Sequence, residues 1–324
     1  MSQYQNHIDV LMAAHNEAAG IEYSLDSVLQ GLHETDERFA GMLTVIANGC
    51  SDATGDIARA WGDEKMSQAG RFAFRVIELA EGHKSRALNT AIAQSEGDIT
   101  MVMDADVTLD ACAMQGLSSV LAQKQPLGAS LYHAADTNYL PEGQLGTIVQ
   151  MADLRRQAIP SRLKLHGGFM GWNGQTTIEG EHIVFPTEQP VADDTWLSYA
   201  LIAEHGPGVI HSVNSGVFSR YIPPQNSQDY IRQQSRYAGT DELMAQCFPA
   251  LKQTIDLAQK SVPSPDVVNP RWRELCAQQG IDFDANIDAY DAMRTLANQG
   301  KQQANKEILA NNGQWLPVSS ARLA

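Results

Sequence analysis

An α/β architecture, with a mainly parallel central sheet flanked by helices, follows from three features of this 324-residue chain. Apolar strand-like runs alternate with helical periodicity over its N-terminal third. Each run closes in a polar turn built from Asn, Asp, Gly or Ser. The hydrophobic content of 43% against 19% charged residues is that of a globular protein with a sizeable core, which excludes a disordered chain.

Taken in order, Ile8 to Ala14 reads as a buried strand that ends at His15-Asn16-Glu17. Residues 18–32 then place Ile21, Leu25, Val28, Leu29 and Leu32 at helical spacing. A second strand over 43–47 ends at Asn48-Gly49-Cys50-Ser51-Asp52, where Ser51 or Asp52 is suited to cap a helix over 53–61. The third strand covers 74–79 and is followed by Gly82-His83-Lys84-Ser85-Arg86 and a helix over 87–95. The fourth, over 99–103, delivers Asp104-Ala105-Asp106. Right-handed crossovers between parallel strands gather all these turns on the carboxyl rim of the sheet, where open α/β proteins bind ligands.

Beyond this point the chain predicts helices over 111–124, 196–204 and 229–246 and a strand over 208–218. Residues 127–190 carry Gly167-Gly168 and Gly171-Trp172-Asn173-Gly174, which suggest a mobile or substrate-shaping loop. Ser261-Val262-Pro263-Ser264-Pro265 and Asn269-Pro270 mark a linker or rigid turn, and the polar tail over 271–314 is mostly helical.

A net charge of −15, from 38 acidic and 23 basic residues, argues against nucleic acid or anionic lipid as a partner. The four cysteines form no CxxC pair, which fits a reducing cytoplasm and neither a zinc knuckle nor a disulfide framework. No signal peptide is read at the N-terminus, and no apolar run is long enough for a transmembrane segment. The expectation is a cytoplasmic protein, brought to the inner face of a membrane only if its tail or a partner recruits it. The tail itself shows no basic amphipathic face.

Asp104 and Asp106 carry the chemistry expected of the chain. Two carboxylates this close repel each other unless a cation or a shared proton relieves them. One reading is a pair of solvated strand-end aspartates. A second is a clamp that holds Mg²⁺ or Mn²⁺ against a diphosphate. In a third, Asp104 is a nucleophile and Asp106 its acid/base partner. The string Met103-Asp104-Ala105-Asp106-Val107-Thr108 resembles the nucleophile motif of haloacid-dehalogenase-type phosphatases, with Asp193-Asp194 in place of their distal metal carboxylates.

Five further motifs favour the second reading, because together they resemble the inverting family 2 glycosyltransferases of the GT-A fold. Ala13-Ala14-His15-Asn16-Glu17 resembles their P-x-Y-N-E turn, and Asn48 to Thr54 their D-G-S-T-D-x-T turn. Gly82 to Asn89 is similar to G-K-x-x-A-L-N, and Ala192-Asp193-Asp194-Thr195-Trp196-Leu197 to the E-D-x-x-L segment. Gln233-Gln234-Ser235-Arg236-Tyr237 resembles the Q-x-x-R-W motif of processive members, with Tyr237 for Trp. Dehalogenase-type phosphatases place their nucleophile on the first strand, a plan this chain does not follow.

The resemblance implies a GT-A domain over 1–240, with a nucleotide-binding half over 1–110 and an acceptor half over 111–240, and a helical C-terminal extension over 241–324. It implies inverting transfer from a nucleotide-diphosphate sugar, UDP-linked, with Mn²⁺ or Mg²⁺, to a glycan, lipid-linked or small-molecule acceptor. Donor contacts fall on Ala14, His15, Glu17, Asn48, Lys84, Arg86, Asp104 and Arg236. The metal falls to Asp104 and Asp106, with His211 as a third ligand. Asp194 becomes the base, and Asp193, Trp196, Gln233 and Tyr237 face the acceptor.

Each assignment has a plainer counterpart in the residues themselves. Glu17 and Asn48 suit ordinary turns, Lys84 and Arg86 a solvated surface, and Asp193 or Asp194 a helix N-cap. Trp196 suits a core, His211 a structural role, and the 229–246 segment an ordinary amphipathic helix. A non-catalytic nucleotide-sugar-binding protein also remains open.

Overall fold

The computed structural model describes residues 6–66, 70–123, 125–159, 163–189 and 192–310. Its first part repeats strand and helix: β1 (Asn6–Ala14), α1 (Ile21–Glu34), β2 (Phe39–Asn48), α2 (Thr54–Lys65), β3 (Phe72–Leu79), α3 (Lys84–Ile92) and β4 (Ile99–Asp104). β1 pairs in parallel with β2 and with β4, Val10 lying opposite both Leu43 and Met101, and β2 pairs in parallel with β3. Ile8, Val10, Leu11 and Met12 are fully buried. A strand covered on both faces is apolar at successive positions, which is why β1 is legible as a nearly continuous run.

The chain continues through β5 (Val107–Leu109), α4 (Ala113–Leu121), β6 (Gly128–Ala135), α5 (Gln144–Ala158) and β7 (Phe169–Asn173). A two-strand ribbon, β8 (Thr177–Ile178) and β9 (Glu181–His182), precedes α6 (Asp193–His205), β10 (Ile210–Tyr221) and α7 (Ser227–Cys247). The last elements are α8 (Lys252–Ser261), α9 (Pro265–Gln278) and α10 (Phe283–Ala310).

Eight strands form one sheet in the order β3-β2-β1-β4-β7-β6-β10-β5. β7 runs antiparallel to both β4 and β6, so the sheet is mixed beyond β4. β5 lies at the far edge although only Ala105 and Asp106 separate it from β4, so the sheet curls back on itself. The 127–190 segment, expected as loop, contains β6, α5 and β7. Its helix escaped the pattern because α5 is buried on several sides (Gly146, Ile148, Val149, Met151, Ala152, Asp153 and Leu154), which erases a one-sided apolar stripe.

The chain divides into two compact units. The first comprises the described residues up to 133 together with 164–220 and holds the sheet. The second comprises 134–163 and the described residues from 221 onward. Residues 134–159 and 221–240, expected with the acceptor half, therefore pack with the C-terminal helices. Ile148, Val149, Met151 and Leu154 share a core with Val268, Trp272, Cys276, Phe283 and Tyr290. Trp272 anchors that core: its Nε1–H donates to the Met151 carbonyl at 2.9 Å, and its ring meets Phe283 at 4.7 Å and Tyr290 at 5.0 Å.

Pro265 starts α9, as its fixed φ favours at a first helical position. Pro270, expected to mark a break, lies inside the same helix. It removes one intrahelical hydrogen bond in the second turn, and Trp272 packing holds the helix across it. Among the described residues no helix is long and apolar enough to cross a membrane.

Candidate functional site

The turns that follow β1, β2 and β3 are laced together. The His15 imidazole bonds the Asn48 carbonyl through Nδ1 at 2.8 Å, while Asn16 Nδ2 approaches its Nε2 at 3.4 Å. These partners assign the proton to Nδ1. Asn48 Oδ1 in turn accepts the His83 N–H at 2.8 Å. Gly49, at φ +63°, lets this turn approach the next one: a Cβ here would lie 2.2 Å from the Gly82 nitrogen.

Below them, the Glu17 N–H donates to Thr54 Oγ1 at 2.8 Å, and Asp52 accepts the Thr54 and Ala18 N–H groups at 3.0 and 3.1 Å. Burial opposes the Asp52 charge, but the Thr54 hydroxyl, which also donates to it, and these two N–H groups outweigh that and hold the carboxyl below its ordinary value. Ala14 is fully buried, and its carbonyl accepts the Cys50 thiol at 3.4 Å.

A second group converges from three elements. β4 ends at Asp104, whose N–H donates to the Gly168 carbonyl at 3.3 Å. α3 begins at Lys84, after His83 caps it by accepting the Arg86 N–H. α6 begins at Asp193. Lys84 Nζ donates to Asp104 Oδ1 at 2.6 Å and to Asp193 Oδ1 at 3.1 Å. Asp193 Oδ2 is buried without a hydrogen-bond partner. Asp194 Oδ1 accepts the Thr195 N–H at 2.6 Å and the Thr195 hydroxyl at 3.1 Å. Its Oδ2 looks toward Gly167, where a Cβ would stand 3.3 Å away.

The electrostatics follow from this crowding. Burial raises Asp104, Asp193 and Asp194 above the ordinary carboxylate value, and neighbouring carboxylates add to it: Asp106 and Asp194 on Asp104, Asp104 on Asp193, and Asp193 on Asp194. Lys84 opposes the rise at all three, and Lys164 opposes it at Asp194. Burial works against the Lys84 charge, yet Asp104 and Asp193 hold the ammonium above its ordinary value. Four carboxylates thus face two lysines, a surplus of negative charge.

That surplus, with the orphaned Asp193 oxygen, suits a divalent cation. Among the described residues no group of three or more His, Cys, Asp or Glu side chains is disposed to hold a metal. A cation at Asp104 and Asp106 would therefore take its remaining ligands from phosphate oxygens and water, as Mg²⁺ and Mn²⁺ do.

Several expected residues lie elsewhere. Arg86 is exposed and pairs with Glu81 at 3.3 Å. His211 is exposed near the start of β10, whereas the site end of that strand is marked by Phe218, whose carbonyl accepts the Asp110 N–H. At the roughly 3.3 Å rise of a strand the two are about 20 Å apart, so His211 cannot share a cation with Asp104 and Asp106. A lone histidine in a sequence carries no register, which is why this was not foreseen. Trp196 is buried against Phe185, ring centroids 5.5 Å apart, and so belongs to the core and not to an acceptor surface. Gln233, Arg236 and Tyr237 lie on α7 in the second unit, Gln233 buried and Tyr237 52% exposed. Lys164 and Asn89 were not singled out as site residues, although Asn89 sat in a recognisable motif; Gly167 stood in the glycine-rich stretch read from the sequence.

Strand order, curled mixed sheet and a carboxylate-rich rim after β4 define a fold of the GT-A type, that of nucleotide-diphospho-sugar transferases. Residues 9–153 match the model of glycosyl transferase family 2. With this fold the phosphatase reading of Asp104 falls. The Bacillus subtilis (strain 168) protein named "Probable glycosyltransferase YdaM" is 26% identical over 268 residues, which cover 79% of this chain and 59% of that protein. The chain thus matches about three fifths of the length of this curated relative. Among solved structures, the mannosyltransferase PcManGT from Pyrobaculum calidifontis in complex with GDP-Man and Mn²⁺ superposes with a TM-score of 0.61 at 19% identity, covering 96% of this chain and 89% of the other. That likeness concerns the fold.

Proposed function

We propose that this protein is an inverting glycosyltransferase, moving a sugar from a nucleoside-diphosphate donor, UDP-linked by the motif resemblance, to a hydroxyl acceptor in glycan or polysaccharide synthesis. The observation that carries the reading is the carboxylate cluster around Lys84, which joins the end of β4 to the start of α6. The donor is assigned to the rim of the 1–110 segment. There the turns at His15, Glu17 and Asn48 offer hydrogen-bonding groups, and Lys84 offers a cation to the diphosphate.

A Mn²⁺ or Mg²⁺ ion held by Asp104 and Asp106 would neutralise charge on the departing diphosphate. Asp194 acts as the general base. Thr195 immobilises its Oδ1, so Oδ2 is the atom that takes the proton from the acceptor hydroxyl. As that oxygen bonds to the anomeric carbon from the face opposite the leaving group, the bond to the diphosphate oxygen breaks and the nucleoside diphosphate departs. The raised proton affinity of Asp194 suits this task, because a base must hold the proton it takes. Asp193 orients Lys84.

Calorimetry with UDP and with GDP, each with and without Mn²⁺, tests the reading. Expected is metal-dependent binding of one nucleotide that Asp106→Ala weakens at least about tenfold. Binding indifferent to metal and to Asp106, or none with either nucleotide, would overturn it. Binding without any donor turnover, unchanged in Asp194→Asn, would identify a non-catalytic nucleotide-sugar-binding protein. Thermal shift across donor sugars would then identify the sugar, since a ligand that binds only the folded state raises its stability.

A further inference from the structure

Asn89 sits on the same helix as Lys84, and its side chain makes both backbone hydrogen bonds of a distant residue. Asn89 Nδ2 donates to the Phe185 carbonyl at 2.8 Å, and Asn89 Oδ1 accepts the Phe185 N–H at 2.8 Å. Residues 183–186 belong to no helix or strand, so this amide supplies the pairing a neighbouring strand would otherwise give. A second tie follows directly. His83 accepts the Arg86 N–H on Nδ1, so its Nε2–H donates to the Thr187 carbonyl at 3.1 Å.

The fixed segment bears on the candidate base through one ring. Phe185 is 1% exposed, and its ring lies 5.5 Å from Trp196 and 6.1 Å from Trp172. Trp196 belongs to the first turn of α6, where its N–H donates to the Ala192 carbonyl at 2.9 Å. That turn carries Asp193 and Asp194. Close-packed aromatic contacts transmit displacement, because an interior has little free volume to absorb it. The backbone of Phe185 and the direction of α6 are thereby set by the same helix whose Lys84 grips Asp193 from the other side.

We propose that Asn89 is a positioning residue of the transfer reaction: through Phe185 and Trp196 it holds the first turn of α6, and with it Asp194, in register with the Asp104–Lys84 pair. This rests on Asp194 being the base. It also gives Trp196 a use other than stacking on a sugar.

The test compares wild type with Asn89→Ala, Asn89→Asp and Trp196→Phe. Three quantities are read: affinity for UDP or GDP with Mn²⁺, kcat and KM for nucleotide release from UDP-glucose or GDP-mannose, and the ¹⁹F spectrum of 5-fluorotryptophan-labelled protein. The Trp196 resonance is identified by its loss in Trp196→Phe. Expected in Asn89→Ala is nucleotide affinity within about twofold of wild type, a kcat lowered about tenfold or more, and a shifted Trp196 resonance. Asn89→Asp, which keeps the acceptor for the Phe185 N–H, should lose less, and Trp196→Phe should share the kcat defect. An unmoved Trp196 resonance overturns the proposal. So does an unchanged kcat, or a kcat that falls only in step with nucleotide affinity and folded fraction. If wild type turns over neither donor, the failure belongs to the proposed reaction, and the fluorine resonance alone decides the role of Asn89.

Discussion

Lys84 Nζ lies 2.6 Å from Asp104 Oδ1, and the same ammonium reaches Asp193 Oδ1 at 3.1 Å. One cation therefore ties the end of a strand to the start of a helix, and the lysine stands 109 positions before that helix. Replacing it should have effects of opposite sign on two ligands. Lys84→Met leaves the carboxylates uncompensated, so Mn²⁺ alone should bind more tightly than to wild type. The nucleoside diphosphate, deprived of a cationic donor, should bind about tenfold more weakly. Because the Lys84 and Asp104 side chains are 38% and 32% exposed, the cost in folding stability should be nearer ~1 kcal/mol than the several expected of a dry pair. Titration calorimetry and urea unfolding read these three quantities separately.

The pH dependence follows from the directions of the carboxylate shifts. Asp193 and Asp194 hold their protons more strongly in the fold than in the unfolded chain, where the ordinary value is 3.8. A group raised in this way contributes stability that is present below its unfolded value and is lost as pH rises through its folded one. The stability of wild type relative to Asp193→Asn should therefore fall as pH rises from the ordinary carboxylate range toward neutrality. Lys84 adds the same sign at the alkaline end: its contribution is intact below 10.5 and disappears as pH climbs through its raised value. Denaturation midpoints measured across pH in the absence of divalent ions check both limbs.

The same shift should appear in the reaction. With Asp194 as the base, the acid limb of the kcat profile should lie above the ordinary carboxylate range. Asp193→Asn removes a neighbouring negative charge and should move that limb to lower pH. Asp194→Asn should lower kcat by about 10²–10⁴-fold while leaving nucleotide affinity within a small factor. A profile whose acid limb ignores Asp193, or an Asp194→Asn enzyme with undiminished kcat, would reassign the base.

How much of this could be read from residues alone depended on how local each signal was. The strands β1, β2 and β4 were legible because they are buried along most of their length and largely apolar, as in Val10 to Met12, whereas β3 is a half-exposed edge strand that announces itself by its β-branched and aromatic residues. The places of Asp104 at a strand end and of Asp194 at a helix start were legible because their motifs are short and contiguous. α5 was blurred, because it is buried on several sides and presents no polar face to set its period, whereas α6 was placed to within a few residues. Trp196 and His211 went astray for a different reason. Whether a tryptophan meets a sugar or Phe185, and which end of β10 a histidine occupies, are settled by tertiary register that no local pattern encodes. The link from Asn89 to Phe185 spans 96 positions and joins a side chain to a backbone, so no periodicity could have announced it.

Gly49 offers a test of whether the rim acts as one body. Its φ of +63° lies in the left-handed region, and its missing Cβ leaves room for the backbone of Gly82. Alanine there incurs the left-handed penalty of about 1 kcal/mol and, in addition, a backbone contact of 2.2 Å that cannot be relieved by rotating a side chain. Relief requires the turn after β2 to part from the turn after β3. That parting would break the Asn48 Oδ1 to His83 N–H bond and shift His83, the cap of the helix that presents Lys84. Gly49→Ala should therefore lower stability by roughly 1–3 kcal/mol and weaken nucleotide binding as well. Gly70, also at positive φ but with open space around its missing Cβ, supplies the control. Gly70→Ala should incur the conformational penalty alone and leave nucleotide affinity unchanged. Urea unfolding together with calorimetry on the two variants distinguishes a coupled rim from independent turns, since only coupling makes the affinity follow Gly49.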